Sequence, residues 1–316
     1  MTEQQHDVSS TFKSQDTEEW LDIVFTRPIG YRWALFFNHF DIHPNTVTVL
    51  SMILGAAAGV MFYFDADTTQ GVLLNLCGVL LLMWANFYDS ADGQLARMTG
   101  KKTQLGRILD GASSDVWFIP IYFFISLRLF NKPIPLCPDH TWGLWIFVLC
   151  AVAGFGAHTY ECQLADYYRN IHLYFLKGKA GSEFDHYAQQ KQKYEQMPFR
   201  GHATEKIFQW FYVNYTHTQE LVTPQFQRLW RALKDKYGDD IPQDFRDRFR
   251  AASLPLMKWT NILTFNTRAI VLYISCLIDE PWIYPVFELT VLLAIYLHMR
   301  HEHESFSRRF ADELLA

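Results

Sequence analysis

Apolar and polar positions follow one another in long blocks along this chain. Several apolar blocks are about 20 residues long, which is the length a helix needs to cross the hydrocarbon core of a bilayer. The pattern therefore predicts an all-α membrane protein. We expect six transmembrane helices, at residues 45–64, 71–91, 106–128, 141–164, 258–278 and 281–299.

The polar segments between these blocks predict the remaining organisation. Residues 1–19 are polar and acidic, as expected for a disordered tail. Residues 20–42 mix aromatic side chains with arginines, which is typical of an amphipathic helix in the headgroup layer, and we expect this helix to be interrupted near Pro28. Residues 43–316 then form one six-helix membrane domain, in which residues 166–257 are a polar, helical insertion.

The insertion has more basic than acidic residues, whereas the whole chain of 316 residues has a formal net charge of −5. This polar segment also explains a mean hydropathy of only −0.05. A basic insertion can lie against anionic lipid headgroups, and the aromatic stretch at 205–215 suits the membrane interface. A self-packed helical hairpin that prolongs the fourth and fifth spans is an equally good interpretation.

Charge and cysteine content exclude some other classes. No basic stripe indicates a nucleic-acid partner, and the five cysteines have no paired spacing that would indicate a zinc site or a disulfide framework. We therefore expect membrane lipids, and no nucleic acid, among the partners.

Basic residues in the short loops predict the orientation. Residues 65–70 and 279–281 contain no Lys or Arg, whereas residues 97–107 contain four. Both termini and the connection at 97–107 should therefore face the cytoplasm, in a bacterial-type inner membrane or an equivalent one. Arg128 and Lys132 fall on the predicted outer side, which conflicts mildly with this orientation.

The candidate chemistry lies in residues 86–118, where four aspartates stand between two apolar runs. Asp89 and Asp92 are three apart on the end of one predicted helix, and Asp110 is near the start of the next. Three carboxylates can therefore converge across a tight connection. Such oxygen ligands suit a hard divalent cation, which in turn binds a pyrophosphate.

Small residues and one arginine complete the pattern. The seven positions with a fixed spacing are Asp89, Asp92, Gly93, Ala96, Arg97, Gly106 and Asp110. Their pattern, DxxDGxxAR, eight residues and GxxxD, resembles the signature of the CDP-alcohol phosphotransferase family. The resemblance implies a six-helix membrane enzyme of phospholipid synthesis, commonly a homodimer. Such an enzyme moves a substituted phosphate from a CDP-linked alcohol to a second alcohol and releases CMP.

The resemblance also implies roles for individual residues. The metal, Mg or Mn and as two ions, is assigned to Asp89, Asp92, Asp110 and Asp115. The CDP nucleotide and its phosphates are assigned to Gly93, Ala96, Arg97 and Gly106. In the family a fourth aspartate, four residues after the third, also serves as the base that deprotonates the acceptor hydroxyl.

At that fourth position this chain has Ser114, and an aspartate follows one residue later. In a regular helix Asp115 would point about 140° away from Asp110. A π-bulge near Gly111 would bring Asp115 back into line, and we expect such a bulge, with Asp115 as base and ligand. The alternative is that Ser114 occupies the site of a one-metal or inactive protein.

The expected acceptor is a polar alcohol, because several cations suggest a phosphorylated molecule such as inositol phosphate or glycerol phosphate. The candidate acceptor-binding residues are Arg268, Lys101, Lys102 and Arg107. For Arg268, pairing with a structural carboxylate is an equally good interpretation. His158, Glu161 and Asp166 are interpreted as polar residues on the loop side of the fourth span.

Three alternatives for the aspartate stretch stay open at this stage. The aspartates can simply cap helices or pair with nearby bases. They can belong to a cation transporter, or to a catalytically silent family member that acts as a scaffold. The favoured hypothesis remains transfer from a CDP-lipid donor to a polar alcohol.

Overall fold

The computed structural model describes residues 14, 16–101, 103–135, 137–178 and 181–316, and the side chains of residues 104, 107 and 110 lie outside this description. Most of the predicted tail at 1–19 also lies outside the described residues. The described chain is helical apart from one short hairpin. The predicted all-α class is therefore confirmed.

The first helices are α1 (Arg27–His39), α2 (Pro44–Met61), α3 (Thr69–Thr99) and α4 (Gln104–Leu129). Two short strands, β1 (Pro133–Ile134) and β2 (Cys137–Thr141), pair antiparallel. The later helices are α5 (Trp145–Ala151), α6 (Thr159–Lys177), α7 (Tyr187–Gln196), α8 (Ala203–Leu221), α9 (Pro224–Tyr237), α10 (Gln243–Ser253), α11 (Met257–Ile262), α12 (Phe265–Leu277), α13 (Ile283–Phe287) and α14 (Leu293–Leu315). Helical turns of other pitch are the π-helical segments Asp22–Thr26, Val152–His158 and Glu288–Leu292 and the 3₁₀ turn Leu254–Leu256.

Four helical stretches of the described chain are long and apolar enough to cross a membrane. They are Pro44–Met61, Thr69–Thr99, Trp145–Lys177 and Ile283–Leu315. These stretches correspond to the predicted first, second, fourth and sixth spans. Among the residues described, neither α4 nor the α11–α12 pair meets the same standard, so the predicted count of six is not confirmed.

The predicted fifth span, 258–278, is divided in two. α11 ends at Ile262, and α12 has only 13 residues, or about 20 Å of helix against a hydrocarbon core of about 30 Å. Thr264 Oγ1 donates to the carbonyl of Asn261 at 2.7 Å. This side chain satisfies a carbonyl that a continuous helix would have used, which is a local reason for the break.

The described chain folds into two compact units that do not follow chain order. The first contains Glu18–Tyr160 and Phe265–Val291. The second contains Glu161–Thr264 and Leu292–Ala316, together with Asp16 and Thr17. All of the insertion predicted at 166–257 therefore belongs to the second unit.

In the first unit, α2 and α4 pack closely because glycines line one face of α2. A Cβ atom at Gly59 would lie 2.9 Å from the backbone nitrogen of Ile121, and one at Gly55 would overlap the ring of Trp117. Trp117 and Ile121 belong to the buried core of this unit. The glycines thus fix where α4 begins and which of its faces turns towards α2 and α3.

The helix that precedes α2 is not interrupted at Pro28, contrary to the prediction. Helical residues begin at Trp20, pass through the π-helical segment Asp22–Thr26 and continue into α1. Pro28 is the second residue of α1 and directly follows the π-helical segment. A Cβ atom at Gly30 would lie 2.7 Å from Ser90 Oγ, so α1 packs directly against α3.

A four-residue ion cluster ends α4. Arg128 is buried and donates to Asp279 at 2.5 Å, and Lys132 Nζ lies 3.0 Å from Asp65. Burial alone would raise the pKa of Asp279, but the hydrogen bond and charge of Arg128 hold that pKa below its usual value. Two acids thus balance the two bases at this end of α4.

The second unit has an aromatic core. The rings of Phe175 and Phe249 stack at 3.9 Å, and Tyr168 stacks on His303 at 3.7 Å. Trp230 of α9 is also buried. The described part of the predicted insertion is thus helical, and it packs together with α14 around this core.

Candidate functional site

Asp89 and Asp92 lie in the last part of α3, where α2 and α4 both contact it. Asp92 is only 3% exposed and accepts a hydrogen bond from Thr48 Oγ1 at 2.5 Å. Asp89 Oδ1 accepts from Ser113 Oγ at 2.7 Å. Hydroxyl groups from two neighbouring helices therefore orient the two carboxylates.

The connection between α3 and α4 is tight for reasons visible in the sequence. Gly100 ends α3 with a left-handed φ of 69°, and Thr103 caps α4 by accepting from the N–H of Gly106 at 2.9 Å. A Cβ atom at Gly106 would lie 2.7 Å from Asn45 Oδ1. The glycine of the motif thus lets the start of α4 approach the start of α2.

Gly93 and Arg97 lie one helical turn apart on α3. A Cβ atom at Gly93 would be 3.4 Å from Arg97 Nη1, so the guanidinium folds back over the glycine. Ala96 next to it is half-buried. A bare stretch of backbone beside a guanidinium is well suited to a phosphate group, because arginine donates two parallel hydrogen bonds to phosphate oxygens.

The third carboxylate of the prediction cannot be placed. Lys102 and the side chains of Arg107 and Asp110 lie outside the described part of the chain. Among the described side chains, no three His, Cys, Asp or Glu groups come together as a metal site. Asp89 and Asp92 supply carboxylate oxygens of the kind that Mg and Mn bind, so the donors that are described fit such an ion.

The region around Ser114 differs from the prediction. α4 is a continuous α-helix from Gln104 to Leu129, so the π-bulge expected near Gly111 is absent. A Cβ atom at Gly111 would meet nothing within 4 Å, so no close helix approach forces a distortion there. Asp115 is exposed and keeps its regular direction, away from the side of α4 on which Ser113 contacts α3.

The π-helical turns occur in other helices instead. One ends at His158 and another begins at Glu288. His158 Nδ1 lies 3.1 Å from Glu288 Oε1, and His158 also acts electrostatically on Asp115. His158 is 2% exposed and Glu161 is fully buried, so the interpretation of these two as loop-side polar residues is wrong.

Glu288 is the centre of a buried polar cluster in the first unit. Arg268 Nη1 lies 2.5 Å from Glu288 Oε1, and Tyr284 donates to the same oxygen at 2.7 Å. Tyr122 donates to the other carboxylate oxygen, Oε2. Arg268 is fully buried, and this is the pairing with a structural carboxylate that its alternative interpretation described. Its role in acceptor binding stays a prediction.

Lys101, another of the predicted acceptor-binding residues, pairs with a carboxylate outside this cluster. Its Nζ lies 2.7 Å from Asp41 Oδ1, and both side chains are largely exposed. This pair links the α3–α4 connection to the residues between α1 and α2. An exposed pair of this kind is weak, so Lys101 can exchange its partner for an anionic ligand.

Comparison with known proteins finds a family match for part of the chain. Residues 41–176 match the CDP-alcohol phosphatidyltransferase family. The family predicted from the motif is therefore confirmed for this part of the chain. The chain is also 30% identical over 86 residues to an archaetidylinositol phosphate synthase of Pyrococcus horikoshii, a match that covers 27% of this chain and 42% of that relative. The chain thus matches less than half the length of this curated relative. No solved structure matches the chain.

The phosphatidyltransferase segment contains every residue of the predicted signature, whereas Arg268 and Glu288 lie beyond it. Sequence reasoning missed Thr48 and Ser113 as partners of the aspartates, because a hydroxyl in a span carries no distinctive signal. It also missed Glu288, although an acidic residue inside a predicted span is a recognisable sign of a polar cluster.

Proposed function

We propose that this chain is an integral membrane enzyme that transfers a phosphatidyl-type group from a CDP-activated lipid to a polar alcohol and releases CMP. The observation that carries the proposal is the pair Asp89 and Asp92, oriented by Ser113 and Thr48 within a segment that matches the family. Oriented carboxylates next to a phosphate-binding arginine suit chemistry at a pyrophosphate.

The metal in this proposal is Mg or Mn, as two ions, held by Asp89, Asp92 and Asp110. Bound there, it would neutralise the pyrophosphate and stabilise the departing CMP. Arg97 donates to the phosphates, and Gly93 with Ala96 leaves room for the nucleotide beside the backbone of α3.

The reaction also needs a group that accepts the proton of the attacking alcohol. We assign this role to Asp115, which follows the family's fourth position by one residue; because it points away from Ser113 in the regular helix α4, the role requires local unwinding of α4 when the acceptor binds. The O–H bond of the alcohol breaks and its proton goes to Asp115. The alcohol oxygen then bonds to the lipid-bearing phosphorus, and the bond from that phosphorus to CMP breaks. Ser114 is the alternative residue at this position.

The acceptor is proposed to be an inositol phosphate, with glycerol phosphate as the second choice. The name of the archaeal relative supports the first, and the basic residues Lys101, Lys102 and Arg107 near the site support any phosphorylated acceptor. If Lys101 binds the acceptor's phosphate, Lys101→Ala raises the KM for inositol phosphate. The KM for the CDP-lipid should stay the same.

The membrane arrangement is part of the proposal. Six spans require α4 and the α11–α12 pair to cross the bilayer beside the four candidate stretches, and α4, with 26 residues, is about 39 Å long. Both termini and the site would then face the cytoplasm, and the family resemblance suggests a homodimer. Labelling of introduced cysteines on sealed vesicles tests the sidedness.

The decisive experiment measures CMP release by the purified protein with CDP-diacylglycerol, Mn and one of four acceptors: inositol phosphate, glycerol phosphate, inositol or serine. We expect release that depends on the metal and is fastest with a phosphorylated acceptor. Binding of CDP-lipid without any turnover would identify a silent scaffold instead. Ion flux in proteoliposomes that needs no CDP-lipid and is lost in Asp89→Asn would identify a transporter.

A further inference from the structure

Helix α8, in the second unit, has its polar and apolar faces reversed. The face turned into the unit carries Gln209, Thr216 and Gln219, which are all less than 5% exposed. The opposite face carries Trp210 and Phe211, which are 48% and 58% exposed. A helix on a water-soluble surface has the opposite arrangement.

Hydrogen bonds fix this orientation. Gln209 Nε2 donates to Gln190 Oε1 of α7 at 3.0 Å, and Gln219 Nε2 donates to the carbonyl of Gln163 of α6 at 3.0 Å. Tyr215 donates to Asp166 at 2.9 Å. Turning α8 over would leave these buried polar groups without partners, which is costly. The apolar face therefore stays outside.

The apolar face is larger than two rings. Phe199, just before α8, is 65% exposed, Ile207 is 51% exposed and Leu221, at the end of α8, is 64% exposed. Ile207, Trp210, Phe211 and Leu221 lie on one side of α8 and form an apolar stripe, which the exposed Asn214 interrupts between Phe211 and Leu221. We call Phe199 and this stripe the α8 face.

The next helix shows that the reversal is particular to α8. In α9 the apolar residues Phe226, Leu229 and Leu233 are buried, whereas Arg231 is exposed. α9 thus has the ordinary pattern of a helix that faces water. Two adjacent helices of one unit therefore indicate different surroundings.

The charge of the insertion points to the kind of surroundings. Between residues 166 and 258 the sequence has 15 Lys or Arg and 11 Asp or Glu, in a chain whose formal net charge is −5. Arg200, next to Phe199, is exposed. A net positive insertion that carries an exposed aromatic stripe complements an anionic lipid surface, and tryptophan favours the headgroup level of a bilayer.

We propose that the α8 face lies in the headgroup layer of an anionic bilayer. The α8 face would thereby anchor this part of the second unit to a bilayer surface. This inference does not depend on the proposed transferase activity, because it rests on the reversed faces of α8 and on the charge of the insertion.

The test places an environment-sensitive fluorophore on the α8 face of the full-length protein. Phe211→Cys is labelled in a background in which the five native cysteines are replaced and whose thermal unfolding matches the native chain. The protein is placed at one copy per nanodisc, in discs that carry nitroxide lipids. Arg231→Cys on α9 is the matched control, and Ile207→Cys is a second label on the α8 face, should Phe211→Cys fold poorly.

We expect the Phe211 and Ile207 labels to emit at shorter wavelength and to be quenched by the nitroxide lipids, and the Arg231 label to do neither. Zwitterionic discs or high salt should reduce the quenching. Water-like emission from all three labels in anionic discs would overturn the proposal. Quenching that is equal in zwitterionic discs would overturn the anionic choice of partner. Emission at shorter wavelength that appears only when two copies share a disc would identify a second copy of the chain as the partner.

Discussion

The first unit holds carboxylates in two contrasting ways. Asp89 and Asp92 sit near the end of α3, and each receives a hydrogen bond from a serine or threonine of a neighbouring helix. Glu288 is fully buried and receives an arginine and two tyrosines on its two oxygens. The hydroxyl groups orient the first two carboxylates, and the guanidinium of Arg268 neutralises the third.

This difference separates two uses of acidic residues in a membrane protein. A carboxylate that keeps its charge near a helix end can bind a cation or accept a proton. A buried carboxylate that is paired and fully hydrogen-bonded instead holds helices together, because removing one partner leaves an uncompensated charge. We therefore expect substitutions of Asp92 and Asp115 to affect chemistry, and those of Glu288 and Asp279 to affect stability.

The largest effect is expected for Asp92→Asn. The amide keeps an oxygen that can accept from Thr48 but loses the negative charge, so the rate of CMP release should fall by about 10²-fold or more. Thermal unfolding should change little. Asp67→Asn, at an exposed position of the α2–α3 loop, is the matched control. Unchanged CMP release by Asp92→Asn would contradict the proposed role of the aspartates in the reaction.

Asp115→Asn and Ser114→Ala form the second test. If Asp115 accepts the proton, its amide variant should lose about 10² to 10⁴ in turnover and still bind CDP-lipid, and Ser114→Ala should change little. Both are measured as CMP release and lipid binding on the same preparation. The reverse result assigns the role to Ser114. Activity that appears only in Ser114→Asp would mean that the natural chain is silent.

Glu288→Gln should reduce the free energy of unfolding by about 3–5 kcal/mol, because Arg268 would be left buried without its carboxylate. Thermal unfolding in detergent measures the loss, and Glu302→Gln, an exposed acid of α14, is the control. Arg268→Met should reduce the free energy of unfolding less in the Glu288→Gln variant than in the native chain, because the two side chains stabilise the protein as a pair. Additive losses would contradict the pairing.

A smaller loss, about 1.5–3 kcal/mol, is expected for Asp279→Asn, which removes a charged acceptor from Arg128. The pKa of Asp279 is lowered in the folded chain, so this group adds stability above its unfolded pKa of about 3.9, and that stability is lost as the pH falls through the lower folded value. As the pH is lowered from 5, the native chain should therefore lose more stability than the Asp279→Asn variant, as measured by thermal unfolding. Parallel pH profiles would argue against the ion cluster.

The sequence alone predicted the helical class of the molecule, four of its candidate spans and the family that residues 41–176 match. Apolar block length identifies membrane helices, and four of the six predicted spans correspond to candidate stretches, because hydrocarbon thickness fixes how many residues a span needs. The spacing from Asp89 to Asp110 predicted the family that residues 41–176 match, and its first five positions, Asp89 to Arg97, lie on consecutive turns of α3, where their relation does not depend on packing. These are local properties of a helix, and local properties can be read from sequence.

Only the tertiary structure decided which side chains meet across helices. The contacts of Thr48 with Asp92 and of Ser113 with Asp89 depend on how α2 and α4 pack on α3, and Gly55 and Gly59 of α2 allow α2 to approach α4 closely. The same holds for Glu288, whose partners Tyr122 and His158 lie 166 and 130 residues away in the chain. Two π-helical segments lie at His158 and Glu288 rather than near Gly111. A π-helical turn shifts the register of a helix, and in both helices the shift lies where the side chains of the polar cluster meet. Residues far apart in the chain meet through packing, and no single segment of the sequence records that meeting.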